Sequence, residues 1–164
     1  MHVLEPQLIA RLPAEESDIN RTAYVRAIHD GAKVHGFVQN GYWGDLGAPR
    51  SLLRAHLDVL EQRVPLGRFR PDADPFAGCE ERAPGVFVHP TARVDAPLRA
   101  PVLIQAGATV EAGANVGSAV VICAGARVDA GAQLERAVVW PGTHVAAGER
   151  VVEQIAAPGV RLDA

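Results

Sequence analysis

Residues 41–49 read GYWGDLGAP, which puts one carboxylate, Asp45, behind an aromatic pair and ahead of a glycine turn and a proline. An aspartate in that setting accepts hydrogen bonds from nearby backbone N–H groups, either within the turn or as the cap of a following helix. Tyr42 and Trp43 read as packing residues rather than as a platform for a ligand. Of the six histidines, His89 and His144 fall in the repetitive C-terminal part, 55 positions apart, which is not the clustered spacing of a zinc site. Both read as structural or surface residues. His56 lies on an apolar helix face and reads as a packed histidine. Cys79 and Cys123 have neither metal nor CxxC spacing and are too few for a disulfide framework, so they read as reduced bystanders. Arg63, Arg68 and Arg70 are interleaved with proline and read as a solvated linker. No Ser/His/Asp order or paired-carboxylate site stands out.

The elements that must hold these residues change character along the chain. In the first sixty positions the pattern is that of a small α/β segment. His2–Leu4 is a short apolar run, and Pro6–Leu12 makes a helical turn or two. Asn20–Gly31 reads as a helix closed by glycine, and Lys33–Val38 as a strand. Pro49 opens a clear helix, SLLRAHLDVLEQ, with Leu52, Leu53, His56, Leu57 and Leu60 on one face. The stretch 63–84 holds prolines and glycines without a sustained period and reads as a linker or extended crossing segment.

Composition narrows the class. At 164 residues with 48% hydrophobic content the chain is globular in character, one ordinary domain or two small ones. A formal charge of −3 gives no basic footprint, so neither a nucleic-acid surface nor an acidic-lipid surface is expected. The first residues lack a basic region of the signal-peptide kind, and the longest apolar run, 116–126, is too short to span a bilayer; a cytoplasmic location is the expectation.

After Pro84 a period of six takes over. Ile104, Val110, Val116, Ile122, Val128, Leu134 and Trp140 are each six apart, and Val88 and Val94 share the spacing before an interruption at Pro97–Pro101. A smaller set, Ala92, Ala108, Ala114, Val120, Ala126, Ala132 and Val138, follows four positions later, and Ala-Gly-Ala recurs between them. No α-helix has a strict period of six, and the glycine of a collagen period is missing. The reading that fits is a triangular coil of short flat strands with branched residues inside and glycine at tight corners: a parallel β-helix of roughly three to four coils. The bland alternative is a low-complexity tail, which would not hold seven branched or aromatic residues in register. Open ends and flat faces in such a coil lead to an expectation of self-association.

HVLEP at 2–6, a helix ending at Gly31, GFV at 36–38, GYWGDLGAP at 41–49 and LLRAHLDVL at 52–60 succeed one another in an order that resembles the end of the catalytic domain of sugar-1-phosphate nucleotidyltransferases. The resemblance is to the mannose-1-phosphate guanylyltransferase and glucose-1-phosphate nucleotidyltransferase branches, in which such a domain precedes a hexapeptide left-handed β-helix. It implies an α/β remnant of a nucleotidyltransferase domain at 1–62, a linker at 63–84, a left-handed parallel β-helix at 85–157 and a tail at 158–164. It implies that Asp45 helps bind Mg²⁺ together with a second aspartate from the nucleotide half, for which no match is visible in these residues. Asn20 and Arg21 stand where the family often carries Glu-Lys against the sugar and its phosphate; Arg21 retains a phosphate-binding charge, whereas Asn20 cannot reproduce a carboxylate. Ala48 replaces a common threonine. The glycine-rich, arginine- and lysine-bearing triphosphate loop of the family is absent from the 164 residues.

The reaction implied is attack of a sugar-phosphate oxygen on the α-phosphate of a nucleoside triphosphate, so the expectation is a partial nucleotidyltransferase, inactive as an isolated chain. A separate chain carrying the nucleotide-binding half, or a homo-oligomer, is the implied partner. The alternatives are a structural, assembly or regulatory β-helix protein and, further off, a hexapeptide acyltransferase using His89 or His144 as base.

Overall fold

The computed structural model describes residues 2–64, 66 and 74–164, and contacts divide the chain into two compact units, Met1–Gly41 and Tyr42–Ala164. Arg68 and Arg70 of the basic run lie outside the described residues, as does much of the stretch read as a linker.

The first unit is made of short helical pieces: α1 (Pro6–Ile9), a π-helical turn (Ile19–Ala23) and α2 (Tyr24–His29), which runs directly on from it. Asp18 starts the turn, its carboxylate accepting from the N–H groups of Asn20 and Arg21 at 2.8 and 3.2 Å. Gly31 closes the segment at φ +80°, a conformation that glycine adopts without steric cost. Lys33–Val38, expected as a strand, forms none. Its residues are all exposed, and a strand needs a partner to satisfy its backbone.

The second unit opens with residues 42–48 of the GYWGDLGAP stretch and α3 (Pro49–Leu60), then builds the parallel β-helix. One face is a seven-stranded sheet in the order β1 (Glu80–Ala83), β2 (Val86–Val88), β4 (Val102–Ile104), β7 (Val120–Ile122), β10 (Ala137–Val139), β13 (Gln154–Ala157) and β14 (Val160–Asp163). The first and last of these strands pair antiparallel and the rest parallel. The second face runs β3 (Arg93–Val94), β5 (Thr109–Val110), β8 (Arg127–Val128), β11 (His144–Val145), and the third β6 (Asn115–Val116), β9 (Gln133–Glu135), β12 (Arg150–Val152). Strand β1 comes from the stretch read as linker, and β14 from the stretch read as tail.

The interior matches the spacing in the sequence. Ile104, Val110, Val116, Ile122, Val128 and Leu134 all point into one buried cluster, with Ala108, Ala114, Ala126 and Ala132 filling the space beside them. The period is not kept to the end. Val86 aligns with Val102, Val102 with Val120, Val120 with Ala137 and Val138 with Ile155, so successive coils advance by 16, 18, 17 and 17 residues. One residue is lost at the corner where Arg136 takes φ +45°. Val139 therefore fills the interior position expected for Trp140, and Val138 and Trp140 join the outer cluster instead. Gly117 has a different role from the corner glycines: a Cβ there would stand 2.8 Å from the carbonyl oxygen of Leu134, so only a bare backbone fits between these coils.

The seven-stranded sheet is apolar on its outside too. Phe87, Leu103, Val121, Val138, Ile155 and Leu162 form one column across it, and α3 covers that column with Leu53, Leu57 and Leu60. The helix keeps its face as the sequence indicates, and the β-helix of the same chain is what buries it. Among the described residues no helix is long and apolar enough to cross a membrane.

Candidate functional site

Residues 41–48, which carry Asp45, are exposed, form neither helix nor strand and lead into α3. The Asp45 carboxylate accepts from the Gly47 N–H at 3.1 Å, which makes a local turn of the kind aspartate favours, and Pro49 then sets the first helical position. Ala48 is the N-cap and brings no side-chain bond, so Asp45 acts as a turn residue and not as the helix cap. Trp43, expected to pack, is 77% exposed, and Leu46 is exposed as well. Neither is covered by the elements of its own unit.

Tyr42 is what fastens the segment to the scaffold. Its hydroxyl donates to Asp58 Oδ2 at 2.9 Å. Asp58, on α3, is only 6% exposed. Its other oxygen accepts from Arg63 Nη1 at 3.2 Å, and Arg54 Nε stands 3.8 Å away, so a nearly buried charge is compensated by one phenol and two guanidinium groups. Partial burial and the bond to Asp58 hold the Tyr42 phenol above its ordinary pKa. The sequence reading missed Asp58. Its signal is a carboxylate beside the apolar stripe of α3, four residues after Arg54.

Asn20 and Arg21 share the π-helical turn, both exposed, and their backbone N–H groups are held by Asp18. The Arg21 guanidinium lies 3.7 Å from the same carboxylate. These two residues belong to the first unit and Asp45 to the second.

The histidines are engaged locally. His56 is half-buried and bonds the Leu52 carbonyl at 2.8 Å. His89 bonds Thr91 Oγ1 at 2.8 Å, and His144 Nε2 lies 2.8 Å from Asp129 Oδ2 on the second face of the β-helix. There Arg127 joins Asp129 at 2.7 Å and Glu111 at 2.8 Å, so the outside of this face is a ladder of opposite charges. Arg127, and secondly His144, hold the Asp129 carboxyl below its usual range. Both cysteines are free thiols; burial pushes Cys123 up to about 11 and also raises Cys79, so neither is a reactive thiolate.

Comparison with known proteins places this architecture. No protein-family model matches the chain. It is 26% identical to the mannose-1-phosphate guanylyltransferase of Mycobacterium tuberculosis over 149 residues, 90% of this chain and 34% of that protein. It is also 26% identical to the glucose-1-phosphate adenylyltransferases of Bacillus cytotoxicus, over 87% of this chain and 40% of that one, and of Bacillus cereus, over 95% and 35%. The chain fits the C-terminal part of a sugar-1-phosphate nucleotidyltransferase. It spans well under half the length of these relatives.

Set against the magnesium chemistry that the resemblance implies, the donors around Asp45 are few. Magnesium is held by one or two carboxylates plus phosphate oxygens and water. Asp45 offers one exposed carboxylate, one oxygen of which is already engaged by Gly47, and among the described residues no group of three or more His, Cys, Asp or Glu side chains could hold a metal. Among the described residues, Asp45 by itself does not make a magnesium site.

Proposed function

We propose that this chain is the scaffold part of a nucleotide-sugar-forming enzyme, bringing the β-helix and the Asp45 segment to a nucleotide-binding portion that supplies the triphosphate loop and the second carboxylate. The observation that carries this reading is similarity to three such enzymes across 87–95% of the chain, which takes in both the Asp45 segment and the β-helix. The exposure of Val34, Phe37, Val38, Trp43 and Leu46 along one stretch of sequence supports it, because apolar side chains in such number are normally covered by a neighbour. The substrates of this reading are a sugar 1-phosphate and a nucleoside triphosphate, with Arg21 toward the sugar phosphate and Asp45 toward the metal. Self-association of the chain is part of the same reading.

The test is an assay of nucleotide-sugar formation from sugar 1-phosphates, nucleoside triphosphates and Mg²⁺, with and without an added nucleotide-binding half from a relative. The 164 residues alone are expected to give no turnover. The complemented mixture is expected to turn over and to lose activity with Asp45→Ala, while that variant keeps the stability of the parent within about 0.5 kcal/mol, as for an exposed turn residue. Turnover by the isolated chain, or full activity of the complemented Asp45→Ala variant, would sink the reading. Light scattering at micromolar concentration that gives a monomeric mass counts against self-association.

A further inference from the structure

The β-helix stops at a place where another coil would pair. In a parallel ladder, a residue turns both its N–H and its C=O to one neighbouring strand, and the next residue turns its pair to the other. Arg127 and Asp129 donate forward to the carbonyls of Thr143 and Val145 at 2.9 and 3.0 Å, and Arg127 is aligned with His144. One coil later the same alternation turns the His144 C=O and the Ala146 N–H toward the open end, and β11 is the last strand of its sheet.

Side chains meet both groups. The Ala146 N–H donates to Glu149 Oε2 at 2.8 Å, and Arg161 Nη2 donates to the His144 carbonyl at 3.0 Å. The same guanidinium donates through Nε to Glu149 Oε1 at 2.6 Å and through Nη1 to the carbonyls of Ala157 and Val160 at 2.9 and 3.0 Å. Glu149 comes from the last coil and Arg161 from β14, which folds back on β13. Both side chains are less than a third exposed. A sheet edge with unpaired backbone groups is a template for another chain, and one ion pair here occupies that template. The neighbouring terminal strand, β12, is blunted differently: it is three residues long and begins with the exposed Arg150.

We propose that Glu149 and Arg161 form a stopper at the C-terminal end of the β-helix, meeting the forward-facing His144 carbonyl and Ala146 N–H beside β11 and denying that edge to a second copy of this chain. The stopper is independent of the enzymatic reading. It also implies that self-association of the parent chain uses another surface.

The test uses the full chain and compares Arg161→Met with Arg136→Met, which breaks the exposed pair of Arg136 with Glu153 on the side of the solenoid. For Arg161→Met, amide exchange at Ala146 is expected to speed up by about tenfold or more while the first two coils keep their protection. Its mass in sedimentation is expected to rise with concentration beyond that of the parent. The Arg136→Met control is expected to match the parent in both. Unchanged exchange at Ala146, equal acceleration in the control, or a mass that tracks the parent at every concentration overturns the stopper. Should Arg161→Met fail to fold, Arg161→Lys carries the test with the same readouts and the same overturning results, since one ammonium cannot reach acceptors on three segments as the guanidinium fork does.

Discussion

Among the described residues of the first unit, the only buried hydrophobic side chains are Ala23 and Ala27, whereas the β-helix buries residues in most of its strands, all three of them in β4, β7 and β10. The two regions differ in how an apolar side chain finds a neighbour. Each coil of the β-helix meets an equivalent coil 16 to 18 residues on, so its core is supplied by repetition within one chain. The helical pieces of the first unit are four to six residues long, too short to be stable without packing, and Val25 and Ile28 stay exposed on α2. Apolar composition alone does not make a core; a second surface in register does.

The largest effect expected from that contrast is in paired truncations. Ile122→Ala, in the fully buried interior, is expected to cost about 2–5 kcal/mol in denaturant unfolding, and Ile28→Ala less than about 0.5 kcal/mol. Similar costs at the two sites would erase the distinction. Gly117→Ala is expected next, at about 1–3 kcal/mol, because the new methyl must displace the backbone carbonyl of Leu134. An unchanged unfolding midpoint would show that the coils separate there more easily than their spacing indicates.

Thr143 sharpens the comparison in the other direction. It occupies an interior position with its hydroxyl oxygen buried and without a hydrogen-bond partner among the described residues. Thr143→Val keeps the shape and removes the stranded polar atom, so a gain of about 1 kcal/mol is expected by thermal or chemical unfolding, and a loss would show that the hydroxyl is satisfied in solution.

The smallest effect is in pH. The hydrogen bond from Arg161 and, after it, that from the Ala146 N–H hold the Glu149 carboxyl below its usual range against the opposing influence of burial. Since the folded-state value lies below the unfolded one, the contribution of Glu149 is complete above the ordinary glutamate range. It is lost as pH falls through that range to the lower folded value. For a partly exposed pair the contribution is at most about 1 kcal/mol. Stability curves of the parent and Glu149→Gln against pH should converge in acid and separate toward neutrality; parallel curves would show that the carboxylate carries no linked stability.

The sequence by itself determined the elements whose evidence is local or periodic. A spacing of six marks Ile104 through Leu134 as inward, because a coil with three faces repeats its environment at that interval, and an i, i+3, i+4 stripe marks the buried face of α3. The turn at Asp45 was legible for the same reason, since its one bond reaches only two residues along the chain. Tertiary structure decided what depends on the length of a coil rather than on the residues within it. The residue dropped at Arg136 moves Val139 inside and Trp140 outside, and no propensity at Trp140 announces that slip. The bonds of Tyr42 to Asp58 and of Arg161 to Glu149 and His144 join positions 12 to 17 residues apart. Such pairs exist only after the backbone has been folded back on itself, and for that reason their partners could not be read from the order of the residues.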